Sequence, residues 1–308
     1  MNGNPDDPWF WTHDARREHV LRPQREPFRL ARVSSYGTGP RRRFATLAHG
    51  DRGPARETHV DLTANELAAC TNAISISAGE GGFTVVVEPG RPVASRVRSG
   101  LDEAAVRALL ATGDRILDID PYETPDGPRF AVVSAADGPA THFFTGLTAF
   151  RLRWALRRAC VQPLRLRAHA FGARDTAAGD HRTAGDYRAA GDHRTAGDYR
   201  AAGDYRAAGD YRAAGDHRAA AAAAASAAAG DCDAAAVGDC HAAVAGGRDT
   251  AADVRYTVAA GLLPRARWYV HLTGDQVGRR LDRLRAWPVD LDARRTGDGV
   301  RYTMVMQG

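Results

Sequence analysis

The sequence predicts an α+β fold. It is built from tandem strand–helix–strand–strand repeats that form twisted antiparallel sheets covered on one face by short helices, with a long low-complexity insertion in one hairpin. Three observations carry this expectation. A helix-start pattern occurs four times, at Leu62-Thr63-Ala64-Asn65-Glu66-Leu67, Leu101-Asp102-Glu103-Ala104-Ala105-Val106, Leu147-Thr148-Ala149-Phe150-Arg151-Leu152 and Leu272-Thr273-Gly274-Asp275-Gln276-Val277. In each copy a Thr or Asp can accept from the free amides of the first helical turn, and the flanking apolar residues form a hydrophobic staple. After each helix, two runs with alternating or β-branched residues are separated by turn residues, as a hairpin requires. The third observation is the spacing. Thr63, Asp102, Thr148 and Thr273 lie 39, 46 and 43 residues apart once residues 172–253 are set aside, a period typical of repeat architectures.

In chain order, Trp9-Phe10-Trp11 precede a poorly capped helix that Pro23 should end. Phe28 to Ser34 reads as a half-buried strand, Tyr36 to Pro40 as a turn and Arg43 to Leu47 as the returning strand. The second unit runs from His59 through Thr63 and a short helix, then Ala73–Ser77, the turn Gly79–Gly82, and Phe83–Val87. The third places Val106, Leu109 and Leu110 at helical spacing, ends its helix at Gly113, and continues through Arg115–Asp120 and Arg129–Val133. The fourth begins at Phe143-Phe144, has a helix through Leu152 and Leu156, and then a strand over Leu164–His169. Its partner strand, Val254–Ala259, stands beyond the insertion. The fifth runs from Trp268-Tyr269 through a helix with Val277, Leu281 and Leu284 to Val289–Asp292 and Val300–Met306.

The chain therefore divides into a repeat array over residues 1–171, an insertion over 172–253, and the end of the fourth and the whole fifth unit over 254–308. The insertion opens with seven Gly-Asp-(Tyr/His)-Arg-(Ala/Thr)-Ala hexamers from Gly179 to Ala220, followed by an alanine tract. Glycine at every sixth position opposes a helix and low hydrophobicity opposes a core, which predicts a flexible loop. Such a loop is tolerated because closure entropy grows only with the logarithm of length.

All 42 basic residues are arginine, so the chain contains no lysine. That excludes a phosphate-loop lysine, a Schiff-base lysine and a Ser-x-x-Lys nucleophile pair. No window resembles a membrane span, and no basic-then-apolar leader opens the sequence as written. The expectation is a cytoplasmic protein, or a secreted one if translation starts upstream. The insertion holds 9 Arg against 13 Asp, a balance of −4 that leaves the rest of the chain at +9 out of a total of +5. A surplus of that size favours polyanions in general, but the arginines alternate with acids and form no RNP-like aromatic set.

The candidate sites are weak. Asp118/Asp120 and Asp290/Asp292 invite a metal or acid–base reading, because residues two apart on a strand share a face. The hairpin partners Arg129 and Arg301 suggest instead that they form exposed cross-strand ion pairs. His13 and His19, six apart on an expected helix, do not match a zinc motif. Ser34, Ser35, Ser75 and Ser77 lack a nucleophile-elbow context, and His169 is expected at a strand end. Cys70 and Cys160 read as small buried thiols on helices, while Cys232 and Cys240-His241 lack zinc-site spacing. The expectation is that no catalytic, cofactor-binding or metal-binding residue is present, and no cofactor is implied.

With these residues in view, the pattern of an aromatic strand, Leu-Thr, a short helix, Arg-Ile-Leu-Asp-Ile-Asp (Arg115–Asp120), Tyr122 and Arg-Phe-Ala-Val-Val (Arg129–Val133) resembles the structural repeat of polyglycine hydrolases and related bacterial tandem-repeat proteins. Residues 95–134 and 267–308 carry it best, and residues 57–88 and 141–171 with 254–260 less well. The resemblance implies twisted antiparallel sheets with packed helices, which in that family precede a serine hydrolase domain of β-lactamase type. The lysine-free sequence cannot supply the Ser-x-x-Lys motif of that domain. What carries over is therefore a fold and a binding or targeting role toward a protein or glycan. Runners-up are an accessory subunit of a separately encoded serine hydrolase and a weak polyanion binder.

Overall fold

The computed structural model describes residues 8–22, 27–51, 53–136, 138–169, 254–262, 266–283 and 286–307. Expectations about the hexamers, the alanine tract, Cys232, Cys240, His241 and Leu284 fall outside these residues.

The described chain is sheet-rich α+β: five three-stranded antiparallel sheets, each accompanied by one short helix. The first unit comprises β1 (Trp9–Ala15), α1 (Arg17–Leu21), β2 (Arg29–Tyr36) and β3 (Arg43–His49). The second has β4 (Glu57–Leu62), α2 (Ala64–Ala69), β5 (Ala73–Gly79) and β6 (Gly82–Val87), and the third β7 (Ser95–Leu101), α3 (Glu103–Ala111), β8 (Arg115–Thr124) and β9 (Gly127–Ala135). In the fourth stand β10 (His142–Leu147), α4 (Ala149–Arg158), β11 (Gln162–His169) and β12 (Arg255–Gly261). The fifth has β13 (Ala266–Leu272), α5 (Gly274–Arg283), β14 (Trp287–Thr296) and β15 (Gly299–Gln307).

Strand order is the same in all five sheets: the last strand of the unit lies in the middle, flanked by the first and the second. β12 accordingly pairs with both β10 and β11, with His169 opposite Arg255.

Local chemistry explains the turn into each helix. Thr63, Asp102 and Thr148 accept from the amides of Glu66, Ala105 and Arg151. Thr63–Glu66 and Thr273–Gln276 close reciprocal capping boxes. α1 starts at Arg16 with no side-chain cap. Two residues before each helix-starting residue, at Asp14, Asp61, Gly100, Gly146 and His271, the backbone turns left-handed, with φ between 55° and 74°. A bulge in the first strand accompanies each of these turns. The bulge bends the chain off the sheet, so that the helix can cross from the outer strand to the inner one.

The sheets do not form an open array. The second strands, β2, β5, β8, β11 and β14, lie side by side in that order, and β14 returns against β2, which closes a five-bladed ring. Each seam has its own apolar cluster, and the helix of one blade contributes to the seam with the next. Val20 and Leu30 pack with Ile74 and Val86 between the first and second blades. Leu67 packs with Val97 and Val133 at the next seam, and Val106 with Phe143 after that. Leu152 and Leu156 join Trp268 and Trp287. Val277 and Leu281 share the closing seam with Tyr36 and Ala45 of the first blade.

This closure corrects the expected half-buried strand at Phe28–Ser34. β2 is buried on both faces, because its polar side chains point at a closed axis rather than at water.

Candidate functional site

The acids nominated from the sequence meet on the ring axis. The register places Arg129 opposite Tyr122 and Arg301 opposite Arg294, so neither is the partner of an Asp pair. The expected exposed cross-strand ion pairs are therefore overturned. Asp118, Asp120, Asp290 and Asp292 are buried, as are Arg32, Arg165, Arg167, Ser34, Ser75 and Ser77 on the remaining inner strands.

These ten residues form two layers. The upper holds Arg32, Ser75, Asp118, Arg165 and Asp290, each just after the bulge in its inner strand. Below it lie Ser34, Ser77, Asp120, Arg167 and Asp292. Most of these side chains serve a neighbouring blade. The amides of Val33 and Ser35 donate to Ser75 and Ser77 (3.3 and 2.9 Å), and those of Ile76 and Ala78 to Asp118 and Asp120 (2.9 and 2.6 Å). Leu166 and Ala168 donate to Asp290 and Asp292 (2.8 and 3.2 Å). At the closing seam the Ala293 amide donates to Ser34 Oγ (2.9 Å), and Ser34 Oγ donates to Asp292 (2.8 Å). Among the described residues the inner strands have no further strand of their own sheet beside them, so side chains complete their ladder.

Arg167 ties the column together, with Nη1 on Asp290 Oδ2 and Nη2 on Asp118 Oδ1, both at 2.7 Å. Burial alone would lower its pKa, but the four carboxylates outweigh that and hold the guanidinium well above its ordinary value. Burial raises the carboxyls of Asp118 and Asp120, against the pull of Arg167, and lifts Asp292 to about 6. Three arginines face four aspartates, so one retained proton makes the column neutral. Chemically, the arrangement consumes its own charges. Each carboxylate is committed to a backbone amide, as in a buried structural network.

The other nominated residues disperse. His13 lies in β1 and only His19 on α1, so they share no helix. His169 ends β11 and meets Thr257 Oγ1 at 2.8 Å. Its pKa falls to about 3 through burial and nearby Arg294 and Arg255. Gly79–Gly82 forms the β5–β6 hairpin. The two cysteines depart from expectation: Cys70 is half-buried at the end of α2, and Cys160 is exposed in a left-handed turn (φ 53°) after α4. Short helices that end before these positions explain both. Among the described residues no group of three or more His, Cys, Asp or Glu could hold a metal ion, and no helix is long and apolar enough to cross a membrane.

One feature was not nominated from the sequence. A cleft of about 360 Å³ opens between the first two blades, lined by Arg16, Arg17, Arg42, Arg43, Glu18 and Asp61, with Phe44 and Val60 beneath. Asp61, held in its left-handed bulge, accepts from Arg17 Nε (3.0 Å) and pairs with Arg42. Arg42 Nη2 donates to Thr84 (2.9 Å), its guanidinium lies 5.2 Å from the Phe44 ring centre, and its side chain is 9% exposed. The run Arg41-Arg42-Arg43 beside a turn is the available signal; only the bulge at Asp61 shows what faces it.

No family model and no curated protein matches this chain.

Proposed function

We propose that the chain is a non-catalytic binding or targeting module for a protein or glycan, built from tandem repeats of the polyglycine hydrolase type. The carrying observation is the axial column: the acids and serines that could have performed chemistry are buried and bonded to neighbouring blades. The outer surface is then what remains for recognition. The motif resemblance of residues 95–134 and 267–308 supports a second reading, an accessory subunit that targets a separately encoded serine hydrolase. A polyanion reading draws on α4, which carries Arg151, Arg153, Arg157 and Arg158 with no acid, beside exposed Phe150 (80%) and Trp154 (58%).

Peptide and glycan arrays, probed with the full chain, test the first reading. It expects saturable binding to a defined set, with no turnover of chromogenic esters or β-lactams by the purified protein. Turnover would overturn it. Binding confined to sulfated glycans and nucleic acids, and falling steeply with salt, would replace it by the polyanion reading.

A further inference from the structure

We infer that the cleft between the first two blades is a binding site for a small molecule bearing a dianionic phosphoryl group. This goes beyond recognition of a protein or glycan by the outer surface. Four arginines line the cleft against two carboxylates, Glu18 and Asp61, leaving a formal surplus of two positive charges. Asp61 is shared between Arg17 and Arg42, so it orients both guanidinium groups without neutralising the set.

Arg42 is the most firmly held cation of the set. Its Nη groups are held by Asp61, Thr84 Oγ1 and Ser35 Oγ (3.4 Å), while its buried Nε–H has no hydrogen-bond partner among the described residues. That Nε is closed to solvent, so Arg42 acts on a ligand through its fixed positive charge, while the exposed guanidinium groups of Arg16 and Arg17 supply the accessible N–H donors that an oxyanion needs. Burial lowers the Arg42 pKa, with Asp61 opposing, yet the group stays cationic at neutral pH.

The surrounding backbone makes room for this arginine. A Cβ added at Gly79 would stand 3.2 Å from Arg42 Nη2 and 3.1 Å from Ser35 Oγ, tighter than ordinary contact. Arg43 donates Nη1 to the carbonyls of Arg42 and Pro40 (2.8 and 3.2 Å), so it reinforces the turn Gly39–Arg41 on the cleft wall. Arg16 is exposed, and its side chain makes no hydrogen bond among the described residues. Phe44 and Val60 supply an apolar floor, and the volume suits a small metabolite rather than a polymer.

Calorimetric titration of the full chain with inorganic phosphate at low ionic strength is the test, with sulfate and acetate as parallel arms. The expected result is saturable phosphate binding that exceeds sulfate and greatly exceeds acetate. Arg42→Gln should abolish it. Because that variant also loses contacts to Asp61 and Thr84, the exposed Arg16→Gln carries the test, weakening binding about tenfold. Arg153→Gln on α4 should leave it unchanged. Absence of phosphate binding by the wild type, or equal weakening by Arg153→Gln, would overturn the site. Acetate binding as tight as phosphate would overturn the phosphoryl assignment. None of these outcomes bears on the array result.

Discussion

At the scale of single residues, burial transforms groups that look ordinary in the sequence. Asp118-Ile119-Asp120 reads as half-exposed strand alternation, and its solvent face proves to be the ring axis. Nothing local distinguishes the two cases, since the partners of Asp118, Ile76 and Arg167, lie 42 and 49 residues away in the chain. The same axis makes acid sensitivity a competition. His49 sits on the closing seam, with its ring 4.4 Å from that of Trp287 and Nε2–H donating to the Pro288 carbonyl at 3.1 Å. Burial, with Arg32 close by, drops its pKa to about 3. The fold thus favours the neutral imidazole. That contribution is complete above about pH 6.5 and is lost as pH falls toward 3. Asp292 has the opposite sign. Raised to about 6, its ionised form costs stability above that pH, and the cost is relieved as pH falls through 6 toward 3.8. Chemical denaturation at pH 7 and pH 5 should therefore show the His49→Gln variant losing less stability than wild type over that interval, by about 2 kcal/mol. An unchanged difference would remove His49 from the seam.

At the scale of elements, the sequence was most legible where signals are local. The four Thr or Asp helix starts all cap as expected, and the hairpin turn at Gly79–Gly82 forms where the glycines allow it. Gly113, read as the end of the third helix, adopts φ 91° and donates to the Leu110 carbonyl at 3.1 Å. What could not be read was how far the strands extend. β8 reaches Thr124 and β14 reaches Thr296, both beyond the apolar runs that announced them, because pairing with β9 and β15 continues through polar residues. Asp102 offers a clean measure of the caps. It is exposed and receives the Ala105 amide at 2.8 Å. Asp102→Ala should cost about 1 kcal/mol in a two-state denaturant experiment. A neutral effect would show that packing of Val106 alone holds α3 in place.

At the scale of the molecule, the period of about 40–46 residues gave no sign that the five sheets close on one another. An open array and a ring have nearly the same sequence pattern. The distinction lies in whether the last unit meets the first. Among the described residues each of the five sheets is made by the strands of one unit alone, so no described strand crosses the seam to fasten it. Closure rests on the Tyr36–Tyr269–Met304 apolar cluster, the His49–Trp287 contact, and Ser34 bridging Asp292 and Ala293. The polar column explains why inner strands can present aspartate and arginine to a buried centre: an unpaired charge there would cost several kcal/mol, and Arg167 leaves neither Asp118 nor Asp290 alone.

Amide hydrogen exchange of the full chain, read residue by residue by NMR, tests closure most directly. The amides of Ile76, Leu166 and Ala293 all donate to side chains across seams. A closed ring predicts that Ala293, at the junction of last and first blades, is protected as strongly as the other two, and that Ser34→Ala selectively accelerates its exchange. Rapid exchange at Ala293 in the wild type, with Ile76 and Leu166 still protected, would contradict the ring and favour an open array.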